Sequence, residues 1–148
     1  MNTRKRIQVL HGVNLDQLGR RDPDVYGTFS LTELETQISR WAAELECQVS
    51  FWQTNHEGEY CEMLHLASER TDGLILNPGA WTHYSYAIRD ALEIVGVPAV
   101  ELHISEVDGR EDWRQYSVLA DLCVGRVQGK GAEGYREALE ILKGELTE

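Results

Sequence analysis

The chain has 148 residues, 42% hydrophobic and 26% charged, which suits one domain with one substantial core and leaves no room for a separate cofactor domain of ordinary size. Acidic residues number 25 against 14 basic ones, giving a formal charge of −11 and a pI near 4.9; the field repels nucleic acid and anionic membranes and excludes non-specific binding to either. An anionic small molecule then needs cations gathered at its site, for which Arg20, Arg21, Arg110 and Arg114 are the candidates.

In chain order, the basic start Met-Asn-Thr-Arg-Lys-Arg precedes an apolar run at 7–10 that is too short for a signal segment and reads as a first strand. Further strands are predicted at 49–53, 73–77, 99–104 and 122–127 from short β-branched runs. Between them, Ser30-Leu31-Thr32-Glu33 is a capping box that opens a helix to about residue 45. Helices are also predicted over 59–70, 82–95 and 132–143, with a shorter one after Arg110. Strand and helix alternating five times call for an α/β fold, a flavodoxin-like five-stranded parallel sheet of order 2-1-3-4-5 with helices on both faces. One domain spans 1–148. Ligands of such sheets bind at strand carboxyl ends, so the segments beginning at His11 and Asn77 are expected to face each other across the crevice. Cys47, Cys61 and Cys123 are odd in number and lack C-x-x-C spacing, which fits reduced thiols and a cytoplasmic location.

Four features bear on chemistry. Tyr26 lies in the loop Leu18-Gly19-Arg20-Arg21-Asp22-Pro23-Asp24-Val25-Tyr26-Gly27. Tyrosine ionises near pH ~10 and a neighbouring cation favours the phenolate, so this loop can present a carbon-acid base; the same pattern also suits a solvated loop with one aromatic anchor. Asn14 and Asn77 each follow a strand, where they either serve a ligand or satisfy a turn. On the fourth strand, alternation puts Glu101 and His103 on one face, and a carboxylate beside an imidazole keeps a general acid protonated and aimed. Gly129-Lys130-Gly131-Ala132-Glu133-Gly134 fits the dinucleotide pattern G-x-G-x-x-G, but no later strand supplies the ribose-binding acid, so these glycines are expected to make a tight turn and admit a close-packed helix. His11, His56 and His65 share no metal-ligand spacing, so no metal is expected.

Several segments recur together: Gly12-Val13-Asn14-Leu15, Val25-Tyr26-Gly27, Gln53-Thr54-Asn55-His56-Glu57-Gly58-Glu59, Leu76-Asn77-Pro78-Gly79-Ala80 with Thr82-His83, and Ile88-Arg89-Asp90-Ala91-Leu92. Glu101-Leu102-His103-Ile104-Ser105, Arg110-Glu111 and Gly131-Ala132-Glu133-Gly134-Tyr135 complete the set. In this order, and almost end to end, the chain resembles type II 3-dehydroquinate dehydratase, a small flavodoxin-like enzyme of the shikimate and quinate pathways.

The resemblance implies anti elimination of water from 3-dehydroquinate through an enolate, with no cofactor. It implies Tyr26 as base with Arg21 holding it partly as phenolate, Asn14 near the enolate oxygen, and His103 as general acid kept charged by Glu101. The substrate carboxylate falls to Asn77 and the backbone amides of Ile104 and Ser105, and ring hydroxyls to His83 and Arg114. Arg110 approaches Tyr26 and the substrate when a lid at about 16–27 closes on Gly19 and Gly27, and Asp90 reaches in from a neighbouring subunit of a dodecamer built from trimers. Val13, Asp16, Trp81, Tyr84 and Glu106 depart from the family pattern. Glu106 is the sharpest departure: a carboxylate facing the substrate carboxylate repels it unless it points outward, which leaves open an amino analogue of dehydroquinate or a non-catalytic paralogue.

Overall fold

The computed structural model describes residues 4–147, so Met1–Thr3 of the basic start and Glu148 lie outside the described residues. Five parallel strands, β1 (Lys5–His11), β2 (Cys47–Gln53), β3 (Gly73–Asn77), β4 (Ala99–His103) and β5 (Gly125–Gln128), form one sheet in the order β2-β1-β3-β4-β5. This is the predicted flavodoxin-like order. The helices are α1 (Pro23–Tyr26), α2 (Leu31–Glu44), α3 (Glu57–Arg70), α4 (Tyr86–Ile94) and α5 (Glu133–Leu146).

Strand alternation sorts the core into two layers. Ile7, Val9, Ile75, Val100, Leu102 and Val127 pack on one side with Leu34 and Ile38 of α2 and Ala138, Leu139 and Leu142 of α5. Leu10, Leu74, Leu76 and Ala99 pack on the other with Tyr60, Leu64 and Ala67 of α3 and Ile88, Ala91 and Leu92 of α4. Trp81 belongs to this second layer, edge-on to Tyr60 at 5.5 Å, so its bulk fills the core rather than the crevice. Among the described residues no helix is long and apolar enough to cross a membrane.

Local chemistry explains the boundaries. Ser30 accepts from Glu33 N while Glu33 reaches back to Ser30 N, the expected capping box. The helix predicted over 82–95 instead begins at Tyr86: Gly79–His83 form a 3-10 turn, and Ser85 caps α4 by accepting from Ile88 N at 3.0 Å. That delay releases Thr82 and His83 from the helix and turns them toward β4. The strand predicted over 122–127 starts at Gly125, where register with Val100 begins, and Ala120–Leu122 form a 3-10 turn. The helix expected after Arg110 is a single 3-10 turn, Asp112–Arg114. Gly129 and Gly131 adopt φ of +76° and +58°, and a Cβ on Gly134 would lie 3.2 Å from Val127 Cγ1, so these glycines make the tight turn and close helix contact expected of them.

Candidate active site

The carboxyl ends of β1 and β3 meet backbone to backbone. Gly12 N donates to the Asn77 carbonyl at 2.8 Å, and a Cβ on Gly12 would come within 2.5 Å of the Pro78 oxygen. A Cβ on Gly79, with φ +65°, would come within 2.7 Å of the Val13 oxygen. Over this junction lies a cavity of about 80 Å³ lined by residues from the segments that follow β1, β3 and β4, among them Asn14, Arg21, Tyr26, Asn77, His83 and His103. Ile104, Ser105, Arg110 and Arg114 complete its polar wall. Of the twelve residues proposed for the site, Glu101 lies behind this wall and Asp90, exposed on α4, lies apart from it. Arg20 is also outside, bonded to Gln17 at 3.0 Å.

Tyr26 ends α1, which Pro23 opens at the first helical position and Asp22 caps. Flanking Gly19 and Gly27 have φ of +90° and +77°, so the segment enters and leaves by turns that favour glycine. Two guanidiniums meet the phenol. Arg110 donates to its oxygen at 2.8 Å and to Ser105 Oγ at 3.3 Å, while Arg21 lies over the ring face with its carbon 3.8 Å from the centroid. The cation at the hydroxyl is therefore Arg110, with Arg21 stacked on the ring.

Glu101 and His103 share one face of an interior strand, as alternation predicts, and join by a 2.6 Å contact between His103 Nε2 and Glu101 Oε2. Glu101 is fully buried. It also accepts from Thr82 Oγ1 at 2.5 Å and Ser117 Oγ at 2.8 Å, and Arg126 Nε stands 3.5 Å away. Burial alone would raise its pKa; the His103 bond and charge and the two hydroxyl donors override burial and hold it at about 2. Glu101 is thus a carboxylate at neutral pH. It takes one ring nitrogen of His103 and leaves Nδ1 for a ligand. His83 stacks on His103 at 6.2 Å and bonds the Tyr116 carbonyl through Nδ1 at 2.7 Å. Burial, partly opposed by that bond, lowers its pKa, so neutral His83 keeps Nε2 as an acceptor.

Asn14, in the left-handed region at φ 69°, is braced by Asn55, whose Oδ1 accepts from Asn14 N at 2.8 Å. Asn55 Nδ2 in turn donates to Asp16 at 3.1 Å, so Asp16 has a structural partner. Glu106 lies against the Gly129 turn, its Oε2 within 3.0 Å of where a Gly129 Cβ would stand, and lines an outer groove rather than the Asn77 cavity. It is exposed. Burial raises the thiols Cys47, Cys61 and Cys123, the last to about 12, so none is a ready nucleophile. Among the described residues no three His, Cys, Asp or Glu side chains converge as metal ligands.

Sequence reasoning missed Thr82 and Ser117 as Glu101 partners. Thr82 reads in sequence as a helix start, and Ser117 sits in irregular chain with no motif to mark it.

Residues 5–143 match the family described as Dehydroquinase class II. A 3-dehydroquinate dehydratase of Bacillus pumilus is 49% identical over 137 residues, 93% of each chain. That of Thermotoga petrophila is 49% identical over 143 residues, 97% of this chain and 98% of its own. The crystal structure of type II dehydroquinase from Propionibacterium acnes superposes with a TM-score of 0.91 at 38% identity, covering 97% of this chain and 99% of that one. With this sheet order, these strand-end motifs and near-complete coverage, the chain belongs to the class II dehydroquinase family.

Proposed function

We propose that the chain is a 3-dehydroquinate dehydratase, a hydro-lyase that converts 3-dehydroquinate to 3-dehydroshikimate by anti elimination, in the shikimate or quinate pathway. The observation that carries this reading is one cavity shared by Tyr26, whose oxygen is held by Arg110, and His103, whose ring is held by buried Glu101. Tyr26 removes the carbon-bound proton beside the ketone, and the electron pair becomes an enolate. Asn14 supports the enolate oxygen. His103 then gives its proton to the ring hydroxyl as the enolate collapses, and water leaves with its C–O electrons. Asn77 and the amides of Ile104 and Ser105 hold the substrate carboxylate, while His83 and Arg114 meet ring hydroxyls. Since Glu106 is exposed against the Gly129 turn and does not line the Asn77 cavity, dehydroquinate itself is favoured over an amino analogue.

The segment at about 16–27 acts as the lid of a single catalytic domain, bringing Tyr26 under its cations and excluding water from the enolate. No cofactor is needed for these steps. The reading places the enzyme in the cytoplasm as a dodecamer of trimers; Tyr84, Tyr86 and Ile94, exposed by 57%, 63% and 69% around α4, give a subunit contact its apolar surface, and Asp90 on the same helix reaches the neighbouring site. The test is turnover of purified protein with 3-dehydroquinate, followed by the ultraviolet absorbance of the conjugated enone without added metal or nucleotide. Efficient turnover supports the reading, and none overturns it.

A further inference from the structure

We infer that Tyr135 is a positioning residue for substrate binding, because its phenol, together with the Gly79 N–H that sets which end of the amide is which, holds the Asn77 amide where it presents an N–H to an anionic carboxylate. Tyr135 lies in the first turn of α5 with no exposed surface, and accepts from Asn77 Nδ2 at 3.3 Å. Asn77 Oδ1 accepts from Gly79 N at 3.2 Å, so the two ends of the amide have different partners. A flip would set Oδ1 against the phenol and the NH₂ against an N–H, losing the Gly79 bond. One Asn77 N–H is committed to Tyr135, and the other is left for a ligand in the cavity that Asn77 lines.

The phenol is fixed in its turn. His11, the β1 partner of Asn77 in sheet register, packs tilted against the Tyr135 ring at 6.4 Å, and Glu35 of α2 stands 3.1 Å from His11 Nε2. Close approach of α5 to β5 at Gly134 brings Tyr135 beneath β3. Burial pushes the phenol's ionisation far up, with the Asn77 bond opposing only in part, so Tyr135 stays neutral and places no negative charge under a site for an anion.

The inference rests on the proposal that Asn77 holds the substrate carboxylate. Its test compares wild type, Tyr135→Phe, Asn77→Ala and the double variant, reading KM and kcat with 3-dehydroquinate by absorbance and Kd by calorimetry with an unreactive analogue that keeps the ring carboxylate, the latter independent of turnover. Loss of one orienting hydrogen bond predicts a rise in KM and Kd of about three- to tenfold in Tyr135→Phe, with kcat within about twofold because ground state and transition state lose it alike. In the Asn77→Ala background the same change moves Kd by less than about 1.5-fold, because the group that Tyr135 orients is gone. An unchanged Kd in Tyr135→Phe, or equal effects in both backgrounds, overturns the clamp. Absence of wild-type turnover alongside these Kd ratios would sink the proposed reaction and leave the clamp standing.

Discussion

Replacing Glu101 by Gln keeps the size of the buried side chain and removes its charge. In the folded chain this carboxyl titrates at about 2 against an ordinary 4.5, which at 1.36 kcal/mol per pH unit corresponds to on the order of 3 kcal/mol of stability. Because the folded value is the lower one, the contribution is present above pH 4.5 and is lost as pH falls toward 2. About 2 kcal/mol of it is gone by pH 3. Other carboxylates with lowered values, Asp72 and Asp121 among them, contribute equally to both proteins and cancel in the comparison. The assay is urea unfolding of wild type and Glu101→Gln at fixed protein concentration from pH 6 to pH 3. The wild-type advantage should shrink by on the order of 2 kcal/mol across the acid end, and parallel curves would refute the charged, bonded state of Glu101. At neutral pH, kcat of the variant should fall on the order of a hundredfold, since an unpaired imidazole is a poorer proton donor.

Arg110→Met removes the donor to Tyr26 and Ser105; a lost charged hydrogen bond predicts a fall in kcat of about 10- to 100-fold, and a change under threefold would deny Arg110 its role at the phenol oxygen. His103→Ala should stop dehydration while still exchanging the carbon-bound proton of dehydroquinate with deuterated solvent, detected by mass spectrometry; no exchange would mean that enolate formation does not precede hydroxyl loss. Amide hydrogen exchange at 16–27 should be fast in the free protein and slowed by a bound substrate analogue, whereas equal protection in both states would contradict a moving lid.

The sheet is legible because its strands are short β-branched runs alternating with helical patterns, and two-residue alternation along the fourth strand pairs Glu101 with His103. Helix starts were less legible. Thr82 looks helical in sequence, yet its hydroxyl is taken by Glu101 and the capping task falls to Ser85. Tyr26 reads as a loop residue, yet Asp22 and Pro23 start a single helical turn that ends on it. Tertiary pairings are the least accessible from residues alone: nothing local brings Arg110, 84 residues away, to the Tyr26 oxygen, an approach that only the family resemblance implies, and nothing there puts Arg21 on the ring face. Glu106 is a further case, since its side chain lies against the Gly129 turn and outside the Asn77 cavity, a placement that no local pattern encodes.

The measurement that bears most directly on the chemistry is turnover of Tyr26→Phe with 3-dehydroquinate, together with calorimetric binding of a substrate analogue. Loss of the base predicts a drop in kcat of about 10²- to 10⁴-fold with analogue affinity within a few-fold of wild type. Near-normal turnover would contradict Tyr26 as the proton acceptor.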